Sequence, residues 1–174
     1  MRLVEYRIGQ GVNGVLFGLS EAEIAAQIGG PAQRDVIAAL DWIPEEMRDS
    51  FAGMVVTEHR GVYGSYVFQL TYLQERLEEI KILPEAGPVF CNDIDLFGPR
   101  HIVLAELFER YGLPLTDGRS LYFVPLGLMY DIQERDYPVV CFTTGKMQLP
   151  NTDGFLPIGS DDADYLTEPP GEDE

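Results

Sequence analysis

Apolar residues fall at helical spacing in two places along the chain, and each place is followed by runs with the chemistry of strands. Ile24 and Ile28 lie four apart behind Ser20, and Leu104 and Phe108 lie four apart behind Pro99. Ser20 and Glu23 have the spacing of a capping box, in which two side chains satisfy free amides at a helix start. The first helix is predicted to stop at Ile28-Gly29-Gly30-Pro31 and the second at Tyr111-Gly112-Leu113-Pro114. Glycine takes the left-handed cap conformation and proline cannot continue a helix. Pro99 suits the first turn of the second helix, where a missing N–H costs nothing. The apolar stripe of that helix runs through Ile102, Val103, Ala105, Leu107, Phe108 and Tyr111, with Glu106, Glu109 and Arg110 outward.

Behind the first helix, residues 66–72 and 77–82 are β-rich, and behind the second 121–124, 126–130 and 139–142 read as a meander. Leu16-Phe17-Gly18 recurs as Leu96-Phe97-Gly98, an offset of 80 residues. Together these features predict an α+β fold of two tandem repeats, each a helix followed by antiparallel strands. The first repeat covers 1–83 and carries a helical insertion over 32–64; the second covers 84–150. Inside the insertion Pro44-Glu45-Glu46 suits a first helical turn, and a short strand is predicted near 53–58. The sequence leaves open whether the two sets of strands share one sheet.

Charge changes the picture of function. The 174 residues hold 29 acids against 12 bases, a formal net charge of −17. A field of that sign repels phosphate backbones and anionic lipid surfaces. Nucleic-acid and membrane partners are therefore not expected, and a basic protein partner is. Residues 151–174 contain eight acids and no base, with several prolines and glycines, and are read as an acidic, partly disordered C-terminal tail. No apolar run reaches the roughly 18 residues that a membrane span needs. The start of the chain mixes charge with apolar residues and lacks the apolar core of a secretory signal, so the expected location is cytoplasmic. Cys91 and Cys141 are expected as free thiols.

Gly18-Leu19-Ser20-Glu21-Ala22-Glu23 opens the first helix, Gly30-Pro31 closes it, and Leu96-Phe97-Gly98 follows the proline-flanked stretch 84–90. This arrangement resembles small bacterial proteins of two tandem helix-plus-sheet repeats. Its layout is similar to that of the β-lactamase inhibitory protein-like repeats. The resemblance covers roughly residues 8 to 145. It implies a binding module, and specifically an immunity protein that neutralises a paired bacterial toxin. It transfers no individual functional residue.

Gly9-Gln10-Gly11-Val12-Asn13-Gly14 matches the glycine pattern of dinucleotide-binding loops. Such a loop needs a helix opening inside the motif, whereas here the helix start is Ser20, so a Gly-Asn turn between strands is expected instead. His59 and His101 are 42 residues apart. A set made of Cys91, Asp93, Asp95 and His101 has neither zinc nor calcium spacing. No catalytic residue, cofactor or metal is expected. The alternative is a small ligand-binding protein or an enzyme using the Gly9–Gly14 or the Cys91–His101 region. Aromatic residues beside acids compose protein-binding patches. The candidate partner contacts on that ground are Trp42, Glu45, Glu46 and Asp49, then Tyr130, Asp131 and Asp136.

Overall fold

The computed structural model describes residues 4–37, 45, 48–83, 88–133, 139–144 and 156–169. Val4–Arg7 (β1), Gly11–Val12 (β2) and Val15–Leu16 (β3) form two successive hairpin pairs, and Glu21–Ile28 (α1) follows. Gln33–Val36 (β4), a short helix Arg48–Phe51 (α2), Val55–Arg60 (β5), Val67–Leu73 (β6) and Arg76–Leu83 (β7) complete the first half. The second half contains Val89–Cys91 (β8), Ile94–Asp95 (β9), Arg100–Tyr111 (α3), Leu115–Thr116 (β10), Ser120–Phe123 (β11), Leu128–Asp131 (β12) and Val140–Thr143 (β13). Leu156–Pro157 (β14) and Ser160–Thr167 (α4) come last.

These strands make two sheets. The smaller has the order β3-β2-β1-β8-β9, and the larger has the order β14-β10-β11-β12-β13-β7-β6-β5-β4. The expected α+β architecture of two helix-plus-strand repeats is overturned: the described chain is mostly β, with fourteen strands and helices of only four to twelve residues. The reason is local. The short stretches ahead of the two helices are themselves strands of the smaller sheet, and the insertion holds β4 as well as β5, of which only β5 matches the strand expected near 53–58. Strand pairing also crosses the boundary drawn at residue 83, because β1 pairs in parallel with β8 and β7 pairs antiparallel with β13.

The local helix signals are realised. Ser20 Oγ accepts the Glu23 amide at 3.3 Å and Glu23 Oε2 accepts the Ser20 amide at 2.8 Å, which closes the capping box. Gly29 (φ 88°) and Gly112 (φ 80°) end α1 and α3. The buried face of α3 is Val103, Leu104 and Leu107, while Ile102 and Ala105 turn to solvent.

Alternation sets the two faces of the larger sheet. Phe68, Leu70, Ile80, Ile82, Phe142, Val140, Leu128, Tyr130, Leu121 and Phe123 point one way and are buried. Gln69, Lys81, Met129 and Tyr122 point the other way and are half-buried. Val4, Tyr6, Val12, Val89 and Cys91 of the smaller sheet join the same core as Ile24 of α1. Tyr6 fastens the two sheets together. Its ring stacks on Phe142 with centroids 3.8 Å apart, and its hydroxyl donates to the Leu126 carbonyl at 2.6 Å.

Candidate partner-binding surface

The surface with the strongest single character is built by β14 and α4. β14 pairs with β10, and the Ile158 amide donates to the Pro114 carbonyl at 3.2 Å, so the segment is tied to the edge of the larger sheet. Ile158 and Ala163 are buried and Leu166 packs against the core. Asp161 and Asp162 occupy the first turn of α4, where the positive end of the helix dipole favours carboxylates. The outer side carries Asp161, Asp162, Asp164 and Glu168, all exposed, with Tyr165 among them at 70% exposure. No base lies between residues 156 and 169, and Leu156 beside this helix is 65% exposed. A fixed acidic face around an exposed tyrosine is suited to a cationic protein surface: the ring supplies contact area at low entropic cost, and the carboxylates steer the approach.

This face lies inside the stretch read from sequence as an acidic tail. Its signal was present as Ala163 and Leu166, three apart on one side of a helix, with Ile158 just ahead of it, but the surrounding acids and prolines hid it.

The residues singled out from sequence are scattered. Trp42, Glu46 and Asp136 lie outside the described residues. Glu45 is exposed, and Asp49 is exposed on α2, whose Phe51 anchors a small separate cluster with Met54. Tyr130 is 0% exposed and belongs to the core, because it sits on the inward face of β12. Its neighbour Asp131 points the other way, is half-buried and accepts the Gln133 amide at 2.8 Å. Tyr130 is therefore corrected from a surface contact to a packing residue.

Gly9–Gly14 forms the turns around β2, with Asn13 (φ 48°) and Gly14 (φ 93°) between β2 and β3. Cys91 is fully buried in β8, and burial pushes its thiol up to about 11, the opposite of what an attacking thiolate requires. Cys141 is also buried and unpaired, its thiol pushed well up by burial and then by the neighbouring Glu79 carboxylate. His101 is half-buried on α3. Among the described residues no group of three or more His, Cys, Asp or Glu side chains converges as metal ligands. Nor is any described helix long and apolar enough to cross a membrane.

His59 is the polar residue that sequence reading placed least well. It is 3% exposed on the inward face of β5, between Phe68 across the strand pair and Thr57 two residues back. Its Nε2 lies 3.1 Å from Thr57 Oγ1, and its Nδ1 has no partner among the described residues. Burial lowers its pKa, and the nearby Glu21 carboxylate opposes that by a smaller amount. The folded protein thus holds this proton less tightly than the unfolded chain. The stability that neutral His59 allows is complete above the unfolded value of about 6.5 and is lost as pH falls below it. Urea midpoints should therefore drop from pH 7.5 to pH 5.5 more steeply for the native chain than for His59→Gln. Parallel pH profiles for the two would contradict this account.

Comparison with known proteins finds no family model, no curated protein and no solved structure that matches this chain.

Proposed function

We propose that this chain is a cytoplasmic binding module that neutralises a basic bacterial toxin by direct contact, in the manner of an immunity protein. The observation that carries the reading is the acidic face of α4, with Asp161, Asp162, Asp164 and Glu168 arrayed around exposed Tyr165 on a helix docked to the core. The net charge of −17 extends the same field over the whole molecule. Charges on such a rim act mainly on the rate of encounter, while a central aromatic holds the complex together.

The test starts from the partner recovered by cross-linking in the producing cell. Its association rate should fall by about tenfold or more between low and physiological salt. Asp161→Asn, Asp162→Asn, Asp164→Asn and Glu168→Gln combined should lower the low-salt rate by a similar factor and leave dissociation nearly unchanged. Tyr165→Ala should instead speed dissociation, costing about 2 kcal/mol. Circular dichroism of each variant confirms that α4 is intact. A partner that is itself acidic, or an association rate indifferent to salt and to these substitutions, would remove this reading.

A further inference from the structure

Four strands end the two sheets: β3 and β9 in the smaller, β14 and β4 in the larger. Three of them offer little to an incoming chain. β3, β9 and β14 are two residues long, and Pro157 removes a donor from β14. β4 differs. Its four residues, Gln33 to Val36, contain neither proline nor bulge, and all are exposed. The Ile37 amide donates to the Met54 carbonyl at 2.9 Å, and the bonded residues of an antiparallel ladder alternate. Gln33 and Asp35 therefore turn their N–H and C=O groups to β5, while Arg34 and Val36 turn theirs to the open side. Among the described residues no strand lies beyond β4, and nothing bonds those outward groups.

The side chains of this edge divide between two faces. Arg34 and Val36 share one with Thr57 and Val55, their partners across the ladder. Val36 is 55% exposed, and Val55 opposite it belongs to a recess whose apolar wall continues through Ala22 and Ala25 of α1. Arg34 adds no free charge there, since its Nε donates to both Glu21 oxygens, at 2.8 and 3.1 Å. The other face carries Gln33 and Asp35, opposite Glu58 and Val56. Glu58 is paired with Arg60 at 2.6 Å. Asp35 accepts only the Gln33 side-chain amide, at 2.8 Å, and has no ion pair among the described residues. One face of the edge is thus apolar at Val36, and the other holds an uncompensated carboxylate. That carboxylate and the net charge of −17 work against a second copy of this chain, which would bring the same field.

We infer that β4 takes up an extended segment of a basic protein as a further strand of the larger sheet, with apolar side chains beside Val36 and basic ones beside Asp35. Main-chain bonds to Arg34 and Val36 supply the attachment, and the alternation of side chains supplies the choice. The site lies at the opposite end of the sheet from β14, so it is separate from the acidic face of α4.

The full chain, labelled at its backbone amides, is titrated with acetyl-Lys-Val-Lys-Val-Lys-Val-Lys-amide and with the same peptide carrying glutamate for lysine. Saturable shifts of the Arg34 and Val36 amides are expected with the lysine peptide, at a Kd of about 1 mM, and about tenfold weaker binding with the glutamate peptide. N-methylation then isolates the backbone. Methyl groups on the valine amides and on the lysine amides block opposite edges of the peptide, so one series should lose binding and the other keep it. Val36→Pro removes an outward donor at a position that tolerates proline, and should weaken binding about tenfold with little change in the urea midpoint. Asp35→Lys should weaken it about fivefold. No saturable response, equal affinity for the two peptides, equal tolerance of the two methylated series, or native affinity in either variant would each overturn the inference. A concentration-dependent dimer that Val36→Pro abolishes would also overturn it, by assigning the edge to a second copy. The methylated peptides use the native chain, so they decide the matter even where Val36→Pro unfolds. None of these outcomes bears on the substitutions in α4, so the two proposals fail separately.

Discussion

Tyr6→Ala should cost about 4 kcal/mol of folding stability, a large fraction of what a domain of this size possesses. The ring of Tyr6 is 1% exposed and stacks on Phe142, and removing it empties the space between the two sheets. It also strands the Leu126 carbonyl, which takes the hydroxyl at 2.6 Å in a buried setting, and withdraws the acceptor for the Gly9 amide at 3.2 Å. Tyr6→Phe separates the parts. It keeps the stack and loses only the hydrogen bonds, so it should cost about 1–2 kcal/mol. Urea denaturation at neutral pH gives both numbers. Comparable losses for the two variants would show that the hydroxyl, not the ring, holds the sheets together.

Gly11→Ala should cost about 3 kcal/mol, through backbone rather than packing. Gly11 has φ +137°, a conformation that L-residues rarely adopt, and it pairs with Leu16 in the β2–β3 hairpin. A β-carbon there would strike the Val15 carbonyl oxygen and sit 2.9 Å from the Leu16 α-carbon, neither of which can turn aside. Gly9 also has positive φ but faces open space, so Gly9→Ala should cost only about 1 kcal/mol. A chemical denaturation series of the two variants tests the contrast. Equal costs would mean that dihedral strain alone, not the close approach, accounts for Gly11.

Features written into neighbouring residues were legible in the sequence. Ser20, Glu23, Gly29 and Gly112 mark helix ends because capping depends on side chains three or four positions away. The long strands β6 and β7 and the meander of β11 to β13 were legible from their β-branched and aromatic runs. The turn at Asn13 and Gly14 marked β2 and β3, but the two-residue strands β9, β10 and β14 were not legible, since two residues have no period. β4 was hidden for another reason: Gln33, Arg34, Asp35 and Val36 are all exposed, so no apolar alternation marks it as a strand. The fold class was misjudged on these short pieces, and on the parallel pairing of β1 with β8, which no local pattern encodes. The surface candidates fared according to the same logic. Adjacent aromatic and acidic residues on a strand face opposite sides, which is why Tyr130 went to the core and Asp131 did not.

The pairing of β1 with β8 governs the order in which the chain can mature as it is made. On the side of β1 away from β2, Val4, Glu5 and Tyr6 find their partners in Val89, Phe90 and Cys91, so that side stays unmatched during synthesis until some 85 further residues have been added. β7 waits in the same way for β13. A nascent chain carrying only the first half presents two open strand borders at once, each able to recruit a neighbouring chain. Long loops must close before either border is sealed, which places the protein among slow, late-committing folders. The strong negative charge then acquires a second value during synthesis, because incomplete chains that repel one another are less able to pair across those borders.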